Sequence, residues 1–315
     1  MYSTGQWWMW LSFIVFIVVM ITIDLCLLGK KKAHKVSTKE ALSWIIAWVS
    51  LSLLFNLLFW WYLSENQELA LANQKALEFL SGYLIELSLS VDNMFAFIMI
   101  FNYFKIPPEY QRRVLIFGVL SAIILRLVLI LSGTWLVSEL HWVLYLFGLF
   151  LVFTGIKMLF PQKEELNLDK NRLLIWLRQH IRITEKLEGE KFFITKNHFI
   201  YATPLFLVLV FIELSDVMFA LDSIPAIFSI TRDEFIIFTS NVFAILGLRS
   251  LYFLLSNMAD KFHLLRYGIA LMLTFVGIKM LIADWVHVPI LVALSILIAI
   301  LGTTIILSLA IRPKR

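Results

Sequence analysis

The sequence predicts an all-α polytopic membrane protein of nine transmembrane helices, with two three-helix units repeated in opposite orientation. Three observations carry this. Hydrophobic residues fill 61% of the 315 positions and charged residues only 16%, against about 45–50% and 25% in ordinary soluble domains; mean hydropathy is +0.87. Apolar runs of about 20 residues, the length that crosses hydrocarbon as a helix, recur along the chain. Short motifs in the third to fifth runs return in the sixth to eighth.

In order, the runs are Trp7–Leu28, Ala41–Leu63, Leu77–Phe104, Val114–Leu136, Trp142–Phe160, Phe199–Phe228, Phe235–Leu255, Leu264–Ala283 and Val288–Ile311. The first has no Lys or Arg before it and ends on Leu27-Leu28-Gly29-Lys30, so it reads as a span and not as a cleavable leader. The whole of 1–315 is then one membrane domain.

Basic residues orient it. Of the 27 Lys and Arg, 21 fall in alternate connections and the C-terminal tail, while the opposite connections hold only Lys75 and Arg232. Arg126, Lys157, Arg249 and Lys279 lie inside runs. Because cytoplasmic loops collect Lys and Arg, the N-terminus is expected on the periplasmic side and the C-terminus in the cytoplasm. The net charge of +5 is thereby an orientation signal, and no nucleic-acid partner is expected.

One connection is long. Residues 161–198 carry Leu173, Leu177 and Ile181 at four-residue spacing, with Arg172, Arg178 and Arg182 between them, as an amphipathic helix on a membrane surface would. After it, Ile183–Leu187 and Lys191–Thr195 flank Glu188-Gly189-Glu190 in the pattern of a small hairpin.

The repeat is read from three ordered matches. Thr154-Gly155-Ile156-Lys157-Met158-Leu159 answers Val276-Gly277-Ile278-Lys279-Met280-Leu281, Arg126 answers Arg249, and Asp92-Asn93-Met94-Phe95-Ala96 answers Asp216-Val217-Met218-Phe219-Ala220, at shifts of 122, 123 and 124. The units cover 77–160 and 199–283. Three spans is an odd number, so the copies run oppositely, a common plan of secondary transporters, with the binding site where the copies meet.

At that meeting point the chain places carboxylates. Glu86 and Asp92 lie near the centre of the third run; Glu213, Asp216 and Asp222 lie in the sixth. Each costs about 2.5–3.5 kcal/mol in mid-membrane, and the two mid-span arginines, Arg126 and Arg249, cannot neutralise all five. Glu86, Ser90 and Asn93 share one helix face, as do Glu213 and Asp216. The sixth run, 30 residues long, would measure about 45 Å against a core of about 30 Å. With Pro225 inside it, a break near Asp222 is expected. Ser215, Ser223 and Asn241 complete an all-oxygen donor set suited to Mg2+, Ca2+ or Mn2+. Met94 and Met218 occupy matching positions, where packing is the expected role. A lone cysteine, Cys26, excludes an intramolecular disulfide or dithiol pair.

The blocks Glu86-Leu87-Ser88-Leu89-Ser90-Val91-Asp92-Asn93 and Asp216-Val217-Met218-Phe219-Ala220-Leu221-Asp222-Ser223-Ile224-Pro225-Ala226, with Thr239 to Arg249 after them, resemble the signature blocks of the TerC family of bacterial membrane proteins, nearest its Alx-type branch. That resemblance implies an inner-membrane exporter of Mn2+, with Glu86, Asp92, Glu213, Asp216 and Asp222 as functional residues. Mn2+ is then cargo, no cofactor is permanently bound, and protons are candidate counter-ions. A second reading is an accessory membrane protein that supplies metal to, or modulates, the secretion machinery through residues 161–198. An enzyme is not expected, because no nucleophile–base pair is present.

Overall fold

The computed structural model describes residues 4–30, 36–140, 142–160, 181–184, 187–196, 199–258, 264–283, 285–286 and 288–310, without the side chains of 24–30, 92, 95, 138, 221 and 222. Its helices are α1 (Trp7–Lys30), α2 (Thr38–Asn66), α3 (Leu69–Tyr103), α4 (Pro108–Glu139), α5 (Val143–Leu159), α6 (Pro204–Phe228), α7 (Glu234–Met258), α8 (Leu265–Leu281) and α9 (Ile290–Ala310), with strands β1 (Phe193–Lys196) and β2 (Phe199–Ala202) between α5 and α6. Among the described residues, α2, α3, α4, α6, α7 and α9 are long and apolar enough to cross a bilayer. The chain is a polytopic helical membrane protein.

Where helices start follows local chemistry. Ser37 caps α2 by accepting the amide of Glu40 at 3.2 Å. Pro108 and Pro204 open α4 and α6, where a missing N–H costs nothing.

The sixth run is where expectation and structure part. Phe199–Ala202 is not helix but pairs antiparallel with Phe193–Lys196, and α6 begins only at Pro204. Proline disfavours helix in the residue before it, and Phe199-Ile200-Tyr201 suits a strand. Starting at Pro204 shortens α6 to 25 residues, about 37 Å, so about half of the excess length that argued for a break disappears. The expected break near Asp222 is absent: α6 runs through Pro225, which falls in its last turn. The hairpin is also displaced. Gly189 does make a turn, at a φ of 60°, but the pairing strands lie beyond it, and Ile183 bridges Ala202 in parallel. At that turn Lys196 donates to Glu188 at 2.7 Å and holds its carboxyl below the usual range. The amphipathic segment through Leu173 and Leu177 lies outside the described residues.

At the centre stands α7, with 94% of its apolar stretch buried against 22% in α2 and 17% in α9. Towards the N-terminal end of α7 the packing is aromatic: Phe13, Phe55, Phe59, Phe79, Phe235 and Phe243 join α1, α2, α3 and α7 through ring contacts of 5.1–6.4 Å. These rings bury area with no polar atom to satisfy. On the other flank α5 and α8 touch main chain to main chain. A Cβ on Gly155 would lie 2.7 Å from the Ala270 carbonyl, and one on Gly277 would lie 2.7 Å from the Gly148 carbonyl. Replacing Gly277 with alanine should therefore destabilise the protein by about 1–3 kcal/mol through overpacking; thermal unfolding in detergent reads the change, and an unshifted melt would show that α5 and α8 part easily.

Candidate functional site

Arg126 leaves the middle of α4 for the protein interior and is fully buried. Its Nη1 donates to Glu86 Oε1 of α3, to Ser223 Oγ of α6 at 3.1 Å and to Asn241 Oδ1 of α7 at 3.2 Å. Its Nη2 donates to Asp216 Oδ1 of α6 at 3.4 Å. Asn241 Nδ2 donates back to Glu86 Oε2 at 3.0 Å, so both carboxylate oxygens of Glu86 are engaged. Four helices thus meet on one guanidinium.

Small residues make that approach possible. A Cβ on Gly82 would lie 2.9 Å from Ser240 Oγ; with nothing there, α3 and α7 close until Asn241 stands beside Glu86, one turn beyond Gly82. On α4, Gly118, Ala122 and Arg126 recur every four residues along one face. Gly118 lies against Ile212 and Glu213 of α6.

Glu213 keeps apart from the arginine cluster. It is half-buried and accepts from Ser121 Oγ of α4. Together with Asp216 and Arg249 it lines a cavity of about 10 Å3, space for about one water. Arg249, also buried, borders a second cavity of about 130 Å3 with Glu40, Trp44 and Arg112, near the ends of α2 and α4.

Among the described residues, Glu86 and Asp216 share the Arg126 guanidinium, which lies within salt-bridge distance of both. Among the described residues, Asp216 Oδ2, Arg126 Nε and Asn93 Oδ1 are buried without a hydrogen-bond partner. An unmatched buried polar atom costs about 1–3 kcal/mol, more when charged. Of these, Asp216 Oδ2 and Asn93 Oδ1 are acceptors that a proton donor or a cation would satisfy.

Of the expected residues, Glu86, Asp216, Arg126, Ser223 and Asn241 therefore come together, and Glu213 lies alongside. Ser90 and Ser215 donate to the helix carbonyls of Glu86 and Phe211, at 2.6 and 2.8 Å, and are not aimed into the cluster. Met94 is fully buried while Met218 is 69% exposed, so the two do not form a ligand pair. The side chains of Asp92 and Asp222 lie outside the described residues. Among the described residues, no three His, Cys, Asp or Glu stand together at metal-ligand spacing. Sequence reasoning missed Ser121 and Gly118; the signal was the small-residue face of α4 that ends at Arg126.

Residues 71–315 match the family model described as integral membrane protein TerC family. A Salmonella typhi protein, provisionally named membrane-bound redox modulator Alx, is 51% identical over 100% of this chain and 98% of its own. The protein of the same name from Escherichia coli K12 is 51% identical over 98% of this chain and 96% of its own. An uncharacterized membrane protein from Myxococcus xanthus is 44% identical over 98% and 93%. No solved structure matches the chain.

Removing the shared cation tests the cluster. Arg126→Met should cost about 3–5 kcal/mol, because it leaves buried carboxylates uncompensated, and adding Glu86→Gln should recover part of that loss. Denaturant unfolding in detergent measures both; a single variant as stable as the parent would mean Arg126 is not the joint.

Proposed function

Because the chain belongs to the integral membrane protein TerC family, we propose that it is a secondary transporter exporting a divalent metal ion, Mn2+ before other hard cations, through the carboxylate-bearing centre of the bundle. The observation that carries this reading is a cluster of acidic side chains around one buried arginine. Glu86 and Asp216 share one arginine, Asp216 keeps an oxygen without a partner, and Glu213 borders a water-sized cavity beside them. Hard oxygen donors suit Mn2+, and carboxylates that must lose protons to bind metal couple export to proton exchange. On this reading Asp92 and Asp222, on the same two helices, supply the further ligands.

The nine-span inverted repeat belongs to the same proposal. It is supported by a reciprocal contact: Gly155 meets Ala270 and Thr274, and Gly277 meets Gly148 and Val152, the residues that a shift of 122 exchanges. A contact that maps onto itself when the partners are swapped is what a pseudo-two-fold relation produces. The periplasmic N-terminus and cytoplasmic C-terminus rest on the 21-to-2 distribution of basic residues. The name shared by the Alx relatives would ask for a redox group; with Cys26 as its one cysteine, the chain cannot form an internal dithiol pair.

Cells lacking manganese exporters provide the test. Asp216→Asn and Asp92→Asn should raise intracellular manganese to the level of cells without the protein, with membrane abundance checked by immunoblot. Variants that export as well as the unmutated chain would overturn the assignment.

A further inference from the structure

At one end of the bundle cations are scarce. Among the described residues, those there are Lys75 in the second turn of α3, Arg232 in the α6–α7 connection and Lys279 in the last turn of α8. All three line a single cavity of about 440 Å3, together with Glu78 and Asp233.

Lys75 is committed to those carboxylates. Its Nζ lies 2.9 Å from Glu78 and 3.6 Å from Asp233. Hydroxyls complete them: Thr231 donates to Glu78 at 2.7 Å and Thr4 to Asp233 at 2.6 Å, while Asp233 caps α7 through the Phe235 amide at 3.1 Å. Arg232 and Lys279 differ. Among the described residues neither has a carboxylate within 4.0 Å. Half-buried Lys279 makes one hydrogen bond, to the Ser229 carbonyl at 3.1 Å, and an ammonium has three donors. Three cations against two carboxylates leave one positive charge, which a monoanion would neutralise.

Two observations identify that anion. First, Lys279, Ser229 and Ile230 also line an adjoining groove of about 660 Å3, whose α9 side is apolar, with Val286, Val288, Pro289, Ile290 and Leu291, while its α3 side carries Leu77 beside Asn73 and Gln74. The groove runs between α3 and the start of α9, so a charged head and a hydrocarbon tail would both be accommodated. Second, Trp7, Trp61, Trp135, Trp142 and Trp285 are all exposed at this same end. Exposed indoles collect at the headgroup level of a bilayer, which puts the cavity level with lipid phosphates.

We propose that this cavity is a binding site for an anionic phospholipid, its phosphodiester held by Lys279 and Arg232 and an acyl chain laid in the groove between α3 and α9. The site is separate from the central carboxylates and does not depend on which ion they carry.

The full chain, delipidated in detergent, should be titrated with phosphatidylglycerol, phosphatidylcholine and inorganic phosphate while thermal unfolding is followed. Phosphatidylglycerol should raise the melting temperature more than phosphatidylcholine does, and inorganic phosphate should not. The Arg232→Gln/Lys279→Gln pair should weaken apparent phosphatidylglycerol affinity about tenfold or more, whereas Lys279→Arg, which keeps the charge, should retain it. Equal shifts from the two lipids would overturn the proposal, and this arm needs no variant. So would an equal shift from inorganic phosphate, which would assign a free anion, or undiminished lipid affinity in the double glutamine variant.

Discussion

A guanidinium sealed inside a membrane protein has to be matched there, because no water can do it. That requirement organises this bundle. Arg126 cannot be hydrated, so α3, α6 and α7 must each bring an oxygen to it, and Glu86, Asp216, Ser223 and Asn241 do so. Each of those oxygens would itself be costly alone in a dry interior. The cluster therefore sets the register of four helices at once, with a directionality that apolar packing between lipid-like surfaces does not have.

The apolar parts of the structure follow from that constraint. Phenylalanines between α1, α2, α3 and α7 fill space on one side of the cluster without adding any polar atom to satisfy. Glycines and small residues let backbones approach where the charged side chains must reach: Gly82 against Ser240, and Gly118 against α6. One guanidinium serves two carboxylates here, and among the described residues Asp216 Oδ2 keeps no hydrogen-bond partner.

Much of this was legible from residue types alone. Membrane class and most of the apolar helices follow from the cost of bare peptide groups and charge in hydrocarbon, which is a property of composition and spacing. That Glu86 and Asp216 both settle on Arg126 was not legible, because Arg249 stands at the matching position of the second unit. Helix α6 was harder. Phe199-Ile200-Tyr201 is as apolar as a span, and hydropathy cannot separate a strand that covers a membrane protein from a helix that enters the bilayer; the proline at 204 was the sharper signal. Ser121 was missed for another reason. A serine on a transmembrane helix usually bonds its own backbone, as Ser90 and Ser215 do here, and only the neighbour across the interface, Glu213, distinguishes it. The relation of Lys75, Arg232 and Lys279 was equally hidden, since they are far apart in the chain and meet only in the folded bundle.

The seam between α5 and α8 limits how this bundle can change shape. Rearrangements in packed helices proceed largely through side chains that hop between rotamers and let one surface slip over another. Where Gly155 and Gly277 press onto opposing peptide units, only Thr274 and Val152 stand beside them with side chains to move. So close a seam leaves little slack between the two helices, and it favours their moving together over sliding past one another.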